Sequence, residues 1–320
     1  MERGRSLQIR EACLDPAHVV SFKRAICYSG FRDGQSPDLG IYPSVAEIRA
    51  DLHLLKGQWA ALRLYACDVH AERVLKVIRN DGLPLQVMLG AYVGAEVSNP
   101  NCPWGGEHDP SVLKANKRSN QLELARAAQW ANEYQDIIDI VSVGNEATVD
   151  WTDHLVEPET IQQYAANLQS SIKQPVTFCE NYVPWLTKLA SLAEQLDLIA
   201  IHSYPVWEFK GIDEALEFTI ANYEAVQSKY PHKSVIITEA GWATASNGRG
   251  IPPENVSELA QREYLVQLLD WAKTSDVLVY LFEAFDENWK GSDHPLEPEK
   301  HWGLYTAARQ PKPVVAAIAH

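Results

Sequence analysis

Eight short apolar runs, each separated from the next by a longer amphipathic stretch, set the strongest constraint on how this 320-residue chain folds. They are Ala25–Tyr28, Ala61–Tyr65, Leu85–Leu89, Ile138–Val143, Val176–Cys179, Leu198–His202, Val235–Thr238 and Val277–Phe282. Strands covered on both faces read as continuous runs rich in Val, Ile and Leu, and helical crossovers supply the stretches between parallel neighbours. Eight such repeats without a break in composition point to the α/β class and a single (β/α)8 TIM barrel over residues 21–320, preceded by an N-terminal extension over residues 1–20. A doubly wound sheet would carry a glycine-rich phosphate turn behind its first strand, and the segment from Tyr28 to Gly34 lacks that spacing.

The crossovers carry their own start signals. Ser44-Val-Ala-Glu47 reads as a capping box ahead of Val45, Ile48, Leu52 and Leu55. Pro158-Glu159-Thr160 places proline and acid in the first turn of another helix. Pro252-Pro253-Glu254 is expected to open a helix bearing Leu259, Tyr264, Leu265 and Leu268. One connection differs: from Tyr92 to Asn116 the chain is rich in Asn, Pro and Gly, and a loop of that length is usually functional or disordered. Trp104 within it favours a packed lid.

Composition narrows the partners. A net charge of −14, from 28 basic and 42 acidic side chains, argues against nucleic acid and suits a neutral or cationic ligand. No apolar run is long enough to cross a membrane. The polar N-terminus lacks the apolar stretch of a signal peptide, which leaves localisation open, as is the oligomeric state. Cys13, Cys27, Cys67, Cys102 and Cys179 show neither a CxxC pair nor zinc spacing, so buried free thiols are expected, with a Cys27–Cys67 bridge as the alternative.

Barrel enzymes set their reactive groups at the C-terminal ends of strands. Two glutamates qualify: Glu146, behind a Gly-Asn turn after the fourth run, and Glu239, directly after the seventh. Two carboxylates in one barrel mouth suit retaining glycoside hydrolysis, where one protonates the leaving oxygen and the other attacks the anomeric carbon from about 5 Å away. No metal spacing, phosphate loop or nucleophile elbow accompanies them, and the chemistry needs no cofactor.

The contexts SVGNEA around Glu146 and IITEAGWATAS around Glu239 resemble the acid/base and nucleophile segments of glycoside hydrolase family 17, which contains β-1,3-glucanases and transglycosylases. RAICYSG, ALRLYACD, LQVMLGAY, DLIAIHSYPVW, YLFEAFDENWK and EKHWGLYT extend the likeness over roughly residues 24 to 312 in the family's order. Ala240, where plant members tend to carry Ser or Thr, and the loop around Trp104 depart from it. The resemblance implies Glu239 as nucleophile, Glu146 as acid/base and Asn145 as donor to the sugar 2-hydroxyl. It implies Tyr204 as a hydrogen-bonding partner of the nucleophile, with Glu283, Asp286, Glu287 and Lys290 around the nucleophile and sugar hydroxyls. His202 is either a structural histidine or a site residue, and Tyr28 and Tyr65 are candidate sugar contacts.

Sugar rings have apolar faces, so aromatic platforms are expected among the ten tryptophans. Trp207, Trp242 and Trp289 follow strands six, seven and eight, and Trp104 is a further candidate. Trp130 and Trp271 fit helix cores, while Trp151 and Trp185 stay open. The expected activity is retaining hydrolysis of β-1,3-glucan or its oligosaccharides, exo-acting because the loop after strand three would wall off one side of the mouth. The alternatives are β-1,3-glucanosyl transfer by the same mechanism, a barrel hydrolase of β-1,4-linked mannan or glucan, and a non-catalytic glucan-binding barrel.

Overall fold

Eight parallel strands pair in chain order and close on themselves in the computed structural model, which describes residues 20–319. They are β1 (Arg24–Cys27), β2 (Ala61–Leu64), β3 (Gln86–Ala91), β4 (Ile138–Asn145), β5 (Val176–Asn181), β6 (Ile199–His202), β7 (Val235–Gly241) and β8 (Val279–Phe282). All eight expected runs are strands. Only Val20 of the extension expected over residues 1–20 is described, and Cys13 lies outside the described residues. Cys27, Cys67, Cys102 and Cys179 are buried and free.

The principal surrounding helices are α1 (Val45–Leu55), α2 (Val69–Asp81), α3 (Pro110–Glu133), α4 (Pro158–Ser171), α5 (Tyr182–Thr187), α6 (Ala190–Gln195), α7 (Ile212–Lys229), α8 (Glu258–Ser275) and α9 (Pro313–Ala317). The capping box at Ser44 forms, with the Ser44 hydroxyl accepting from the Glu47 amide and the Glu47 carboxylate accepting from the Ser44 amide. Ile48, Leu52 and Leu55 turn inward, while Val45 stays exposed. The expected start of α8 is corrected. Pro253–Asn255 forms only a 3-10 turn, and α8 begins at Glu258, where the Ser257 side chain accepts from the Ala260 amide. Leu259 accordingly lies outside the buried face. Among the described residues no helix is long and apolar enough to cross a membrane.

Two features aim side chains into the mouth. Pairing shifts register near the C-terminal ends of β4, β6 and β7, and such irregularities re-aim the residues that follow. Gly144 has φ +79°, and a Cβ there would lie 2.8 Å from Val93 Cγ2, so glycine is required where β4 turns out of the sheet. Two residues on, Glu146 has φ +45°, an uncommon conformation for a side chain of its kind. Its amide donates to the Cys179 carbonyl at 2.9 Å, tying the turn to β5.

The loop after β3 is ordered and packed, resting on the loop after β4. The amides of Glu96 and Val97 donate to the Leu155 carbonyl, and Asn99 Nδ2 donates to the carbonyls of Asp150 and Thr152. Trp104 stands at its tip, 56% exposed.

Candidate active site

The end of β7 delivers Glu239 into a buried ring of hydrogen-bond donors. Tyr204 Oη donates to its Oε2 at 2.6 Å, and Tyr65 Oη donates to its Oε1 at 3.0 Å. Arg63 Nη1 pairs with the same Oε1 and also donates to the Thr238 carbonyl. Burial alone would raise the Glu239 carboxyl, but the charges of His202 and Arg63 and the Tyr204 bond hold it down at about 2. Glu239 is therefore ionised across the physiological range.

Glu146 is half-buried and faces this carboxylate, with an oxygen within 4.8 Å of one on Glu239. His202, paired with Glu239 in the β6–β7 register, stands between them. Its Nδ1 lies 2.8 Å from Glu146 Oε1 and 3.4 Å from Glu239 Oε2. Burial opposes protonation of His202, but the charge of Glu239, the neighbouring Cys179 sulfur and the bond to Glu146 push its pKa up to about 10. These three side chains also have donor atoms close enough to hold a cation. A protonated imidazole offers no lone pair, and both Glu239 oxygens are already bonded, so the group fits a proton better than a metal.

Asn145 Oδ1 accepts from Arg63 Nη2 at 2.5 Å, which leaves the Asn145 amide nitrogen free to donate into the mouth. Arg63 thus joins Asn145 to Glu239 from a position 1% exposed on β2. It is absent from the residues singled out in the sequence. The signal was present: an arginine inside the apolar run ALRLY must be buried, and buried arginines are paired.

The loop after β8 supplies a second charged group. Lys290 Nζ lies 2.6 Å from Glu283 Oε2 and 2.9 Å from Glu287 Oε2. Burial pushes the Glu283 carboxyl well up, whereas Lys290 and the Ser29 hydroxyl hold that of Glu287 down. Glu287 also accepts from the Phe31 amide at 3.0 Å, fastening the loop after β1 to the loop after β8. Glu299, half-buried in the EKHWGLYT segment, feels the charges of Lys290, Glu297, Glu146 and Glu239. Its carboxyl is pushed up to about 7, chiefly by burial. It too was missed, because only the fold brings that late segment back to the mouth.

Several expected contacts are corrected. Tyr28 is buried, and its hydroxyl donates to Asp51 Oδ2 at 3.2 Å, so it presents no free surface to a sugar. Trp242 is wholly buried, packed against Tyr264, with Nε1 donating to the Asn255 carbonyl. Asp286 accepts from Lys312 Nζ at 2.7 Å and from the Gly303 amide at 2.9 Å, which makes it part of the barrel's closure. Trp185 is buried core, donating from Nε1 to the Ala200 carbonyl. Trp207 and Trp289 are half-buried near the mouth, Trp207 tilted against Trp302 and Trp289 edge-on to Phe31. Trp302, unmarked in the sequence, also packs edge-on against Tyr204, which makes the shorter of the two tyrosine bonds to Glu239.

Residues 25–303 match the BtgE/BtgC glycoside hydrolase domain. The chain belongs to that family. It is 24% identical over 299 residues to a glucan 1,3-beta-glucosidase of Arthroderma benhamiae, covering 88% of this chain and 85% of that one. It is 22% identical over 295 residues to the probable beta-glucosidase btgE of Aspergillus fumigatus, covering 90% of this chain but 46% of the relative. The chain therefore spans less than half the length of that member of the family. Among solved structures, an endo-laminarinase from Formosa superposes with a TM-score of 0.79 at 24% identity, covering 92% of this chain and 85% of that one. A Rhizomucor miehei beta-1,3-glucanosyltransferase mutant, in complex with laminaritriose, gives 0.70 at 20% identity, covering 93% and 97%. Both share the barrel.

Proposed function

We propose that this chain hydrolyses β-1,3-linked glucan with retention, Glu239 acting as nucleophile and Glu146 as acid/base. The observation that carries this reading is the short gap between the two carboxylates, with oxygens within 4.8 Å. A retaining pair stands about 5 Å apart, whereas an inverting pair leaves room for a water at roughly 6.5–9.5 Å. The environments divide the roles: Glu239 is buried and held ionised, while Glu146 is more open and bonded to a protonated imidazole. The choice of β-1,3-glucan rests on the substrates named for the relatives.

In the first half-reaction Glu239 Oε attacks the anomeric carbon, the bond from that carbon to the leaving oxygen breaks, and Glu146 gives that oxygen a proton. In the second, Glu146 takes a proton from water, whose oxygen attacks the same carbon and releases Glu239. The free Asn145 amide donates to the 2-hydroxyl, a contact that strengthens as charge develops on the ring. Transfer to a second sugar in place of water follows the same steps and differs only in acceptor.

We infer action from chain ends or on short oligosaccharides. This reading is supported by the loop over Val93–Lys117, pinned to the loop after β4 along one flank of the mouth. A panel of laminarin, cellulose and mannan tests the specificity: turnover of laminarin alone is expected, and faster cleavage of β-1,4-glucan overturns it. Time-resolved product sizing tests the mode. One short product from the outset is expected, and an early ladder of mid-length products contradicts it.

A further inference from the structure

Glu180 lies on β5, wholly buried, and plays no part in the chemistry described so far. Its Oε2 accepts from the Thr148 amide at 2.9 Å and from the Thr148 hydroxyl at 2.6 Å, and its Oε1 accepts from the Asn181 amide at 2.7 Å. Thr148 stands two residues beyond Glu146, in the loop that leaves β4. We propose that Glu180 is a positioning residue for the acid/base, holding through Thr148 the loop that aims Glu146 at the leaving oxygen, an inference that rests on the proposed retaining mechanism.

Glu146 needs such a hold. With φ +45° its backbone sits in the left-handed region, which a residue with a side chain occupies at a cost. Such a conformation persists where the surroundings fix it from more than one side. β5 supplies two of the fixings. The Cys179 carbonyl accepts from the Glu146 amide at 2.9 Å, and the next residue, Glu180, takes both donors of Thr148. Ala147, between these anchors, is wholly buried, and its carbonyl accepts from the Val156 amide at 2.9 Å. The backbone from Glu146 to Thr148 is thus pinned residue by residue, and the Glu146 side chain projects from a fixed base.

The residue type follows from the geometry. Side chains alternate along a strand, and Cys179 faces the barrel interior, where it neighbours Arg63 and His202. Glu180 therefore points the other way, into the layer between sheet and helices, and has no face on the mouth. Both of its oxygens accept, one from Thr148 and one from Asn181, so an amide in its place would turn a donor towards one of them. All three bonds come from neutral donors, and burial with the nearby charge of Glu146 pushes the Glu180 carboxyl up to about 7. Burying a carboxylate is costly, and the bonds to the Glu146 loop and to its own strand offset that cost.

The test uses the whole chain as wild type, Glu180→Gln, Thr148→Val and Thr148→Ser, with kcat and KM measured on laminaritetraose and on a 2,4-dinitrophenyl β-laminarioside. A dinitrophenolate leaves without a proton, so a misplaced acid slows cleavage of the oligosaccharide and spares attack on the activated substrate. For Glu180→Gln, kcat/KM on laminaritetraose is expected to fall about tenfold or more, while kcat/KM on the aryl substrate stays within about threefold. Water is then poorly activated and the glycosyl-enzyme accumulates, so kcat and KM on the aryl substrate fall together and azide raises kcat. Thr148→Val shows the same pattern more weakly and carries the comparison if Glu180→Gln fails to fold. Thr148→Ser, which keeps the hydroxyl, recovers most of the lost rate. An equal loss on both substrates, no loss at all, or a serine variant no better than the valine one overturns the inference and leaves the retaining glucanase reading intact. A wild type inactive on both substrates overturns that reading itself.

Discussion

His202 Nδ1 lies 2.8 Å from Glu146 Oε1, so the proposed acid/base is bonded to a buried ring that holds a proton. With Glu239 ionised, the three groups together keep a net charge of −1, whether the shared proton sits on nitrogen or on oxygen. Moving it to Glu146 readies the acid without bringing charge into the site. Removing His202 leaves the proton to Glu146 alone.

That relationship predicts a shift in the pH–rate profile. In His202→Gln the alkaline limb of kcat/KM moves to lower pH by about a unit or more, because the imidazole no longer helps retain the proton. The same substitution changes stability in a defined window. The folded pKa of about 10 lies above the ordinary 6.5, so the His202 contribution is complete below pH 6.5 and lost as pH rises towards 10. Denaturant titrations of the wild type should show this decline and those of His202→Gln should lack it; parallel curves would refute the protonated imidazole.

Tyr204→Phe removes the 2.6 Å bond to Glu239 Oε2 and leaves the ring packing with Trp302. A hydrogen bond to a charged acceptor is worth roughly 1.5–3 kcal/mol, so kcat should fall about ten- to a hundredfold. The acid limb should move upward, since Tyr204 is one of the groups holding the Glu239 carboxyl down. An unchanged acid limb measured alongside kcat would remove Tyr204 from that role.

Asp286 separates stability from catalysis. Its ion pair with Lys312 is buried, and breaking such a pair from one side costs about 3 kcal/mol or more. Asp286→Asn should lower the free energy of unfolding by that order while KM for laminari-oligosaccharides stays within about twofold. A large rise in KM with stability intact would return Asp286 to the sugar site.

The barrel was legible because each strand is covered on both faces and so reads as an apolar run, and all eight runs became strands. The meeting of Glu146 and Glu239 in one mouth was legible because each leaves the C-terminal end of a barrel strand. Arg63 escaped because it lies inside its run, where an inward charge is masked by the apolar residues on either side. Tyr28 and Trp242 misled for the opposite reason. Each follows a strand, yet Tyr28 turns to Asp51 and Trp242 to Asn255 and Tyr264, and sequence position does not reveal which side of the sheet receives a ring. The start of α8 was misread from Pro252 and Pro253, where Ser257 is the residue that caps.

Trapping the glycosyl-enzyme tests the central claim most directly. A 2-deoxy-2-fluoro laminari-oligosaccharide bearing an activated leaving group should form the ester and hydrolyse it slowly, and proteolysis with mass spectrometry then locates the label. The account predicts one label, on the peptide containing Glu239, with inactivation in step with labelling. A label on Glu146, or turnover to the inverted product without any label, would contradict it.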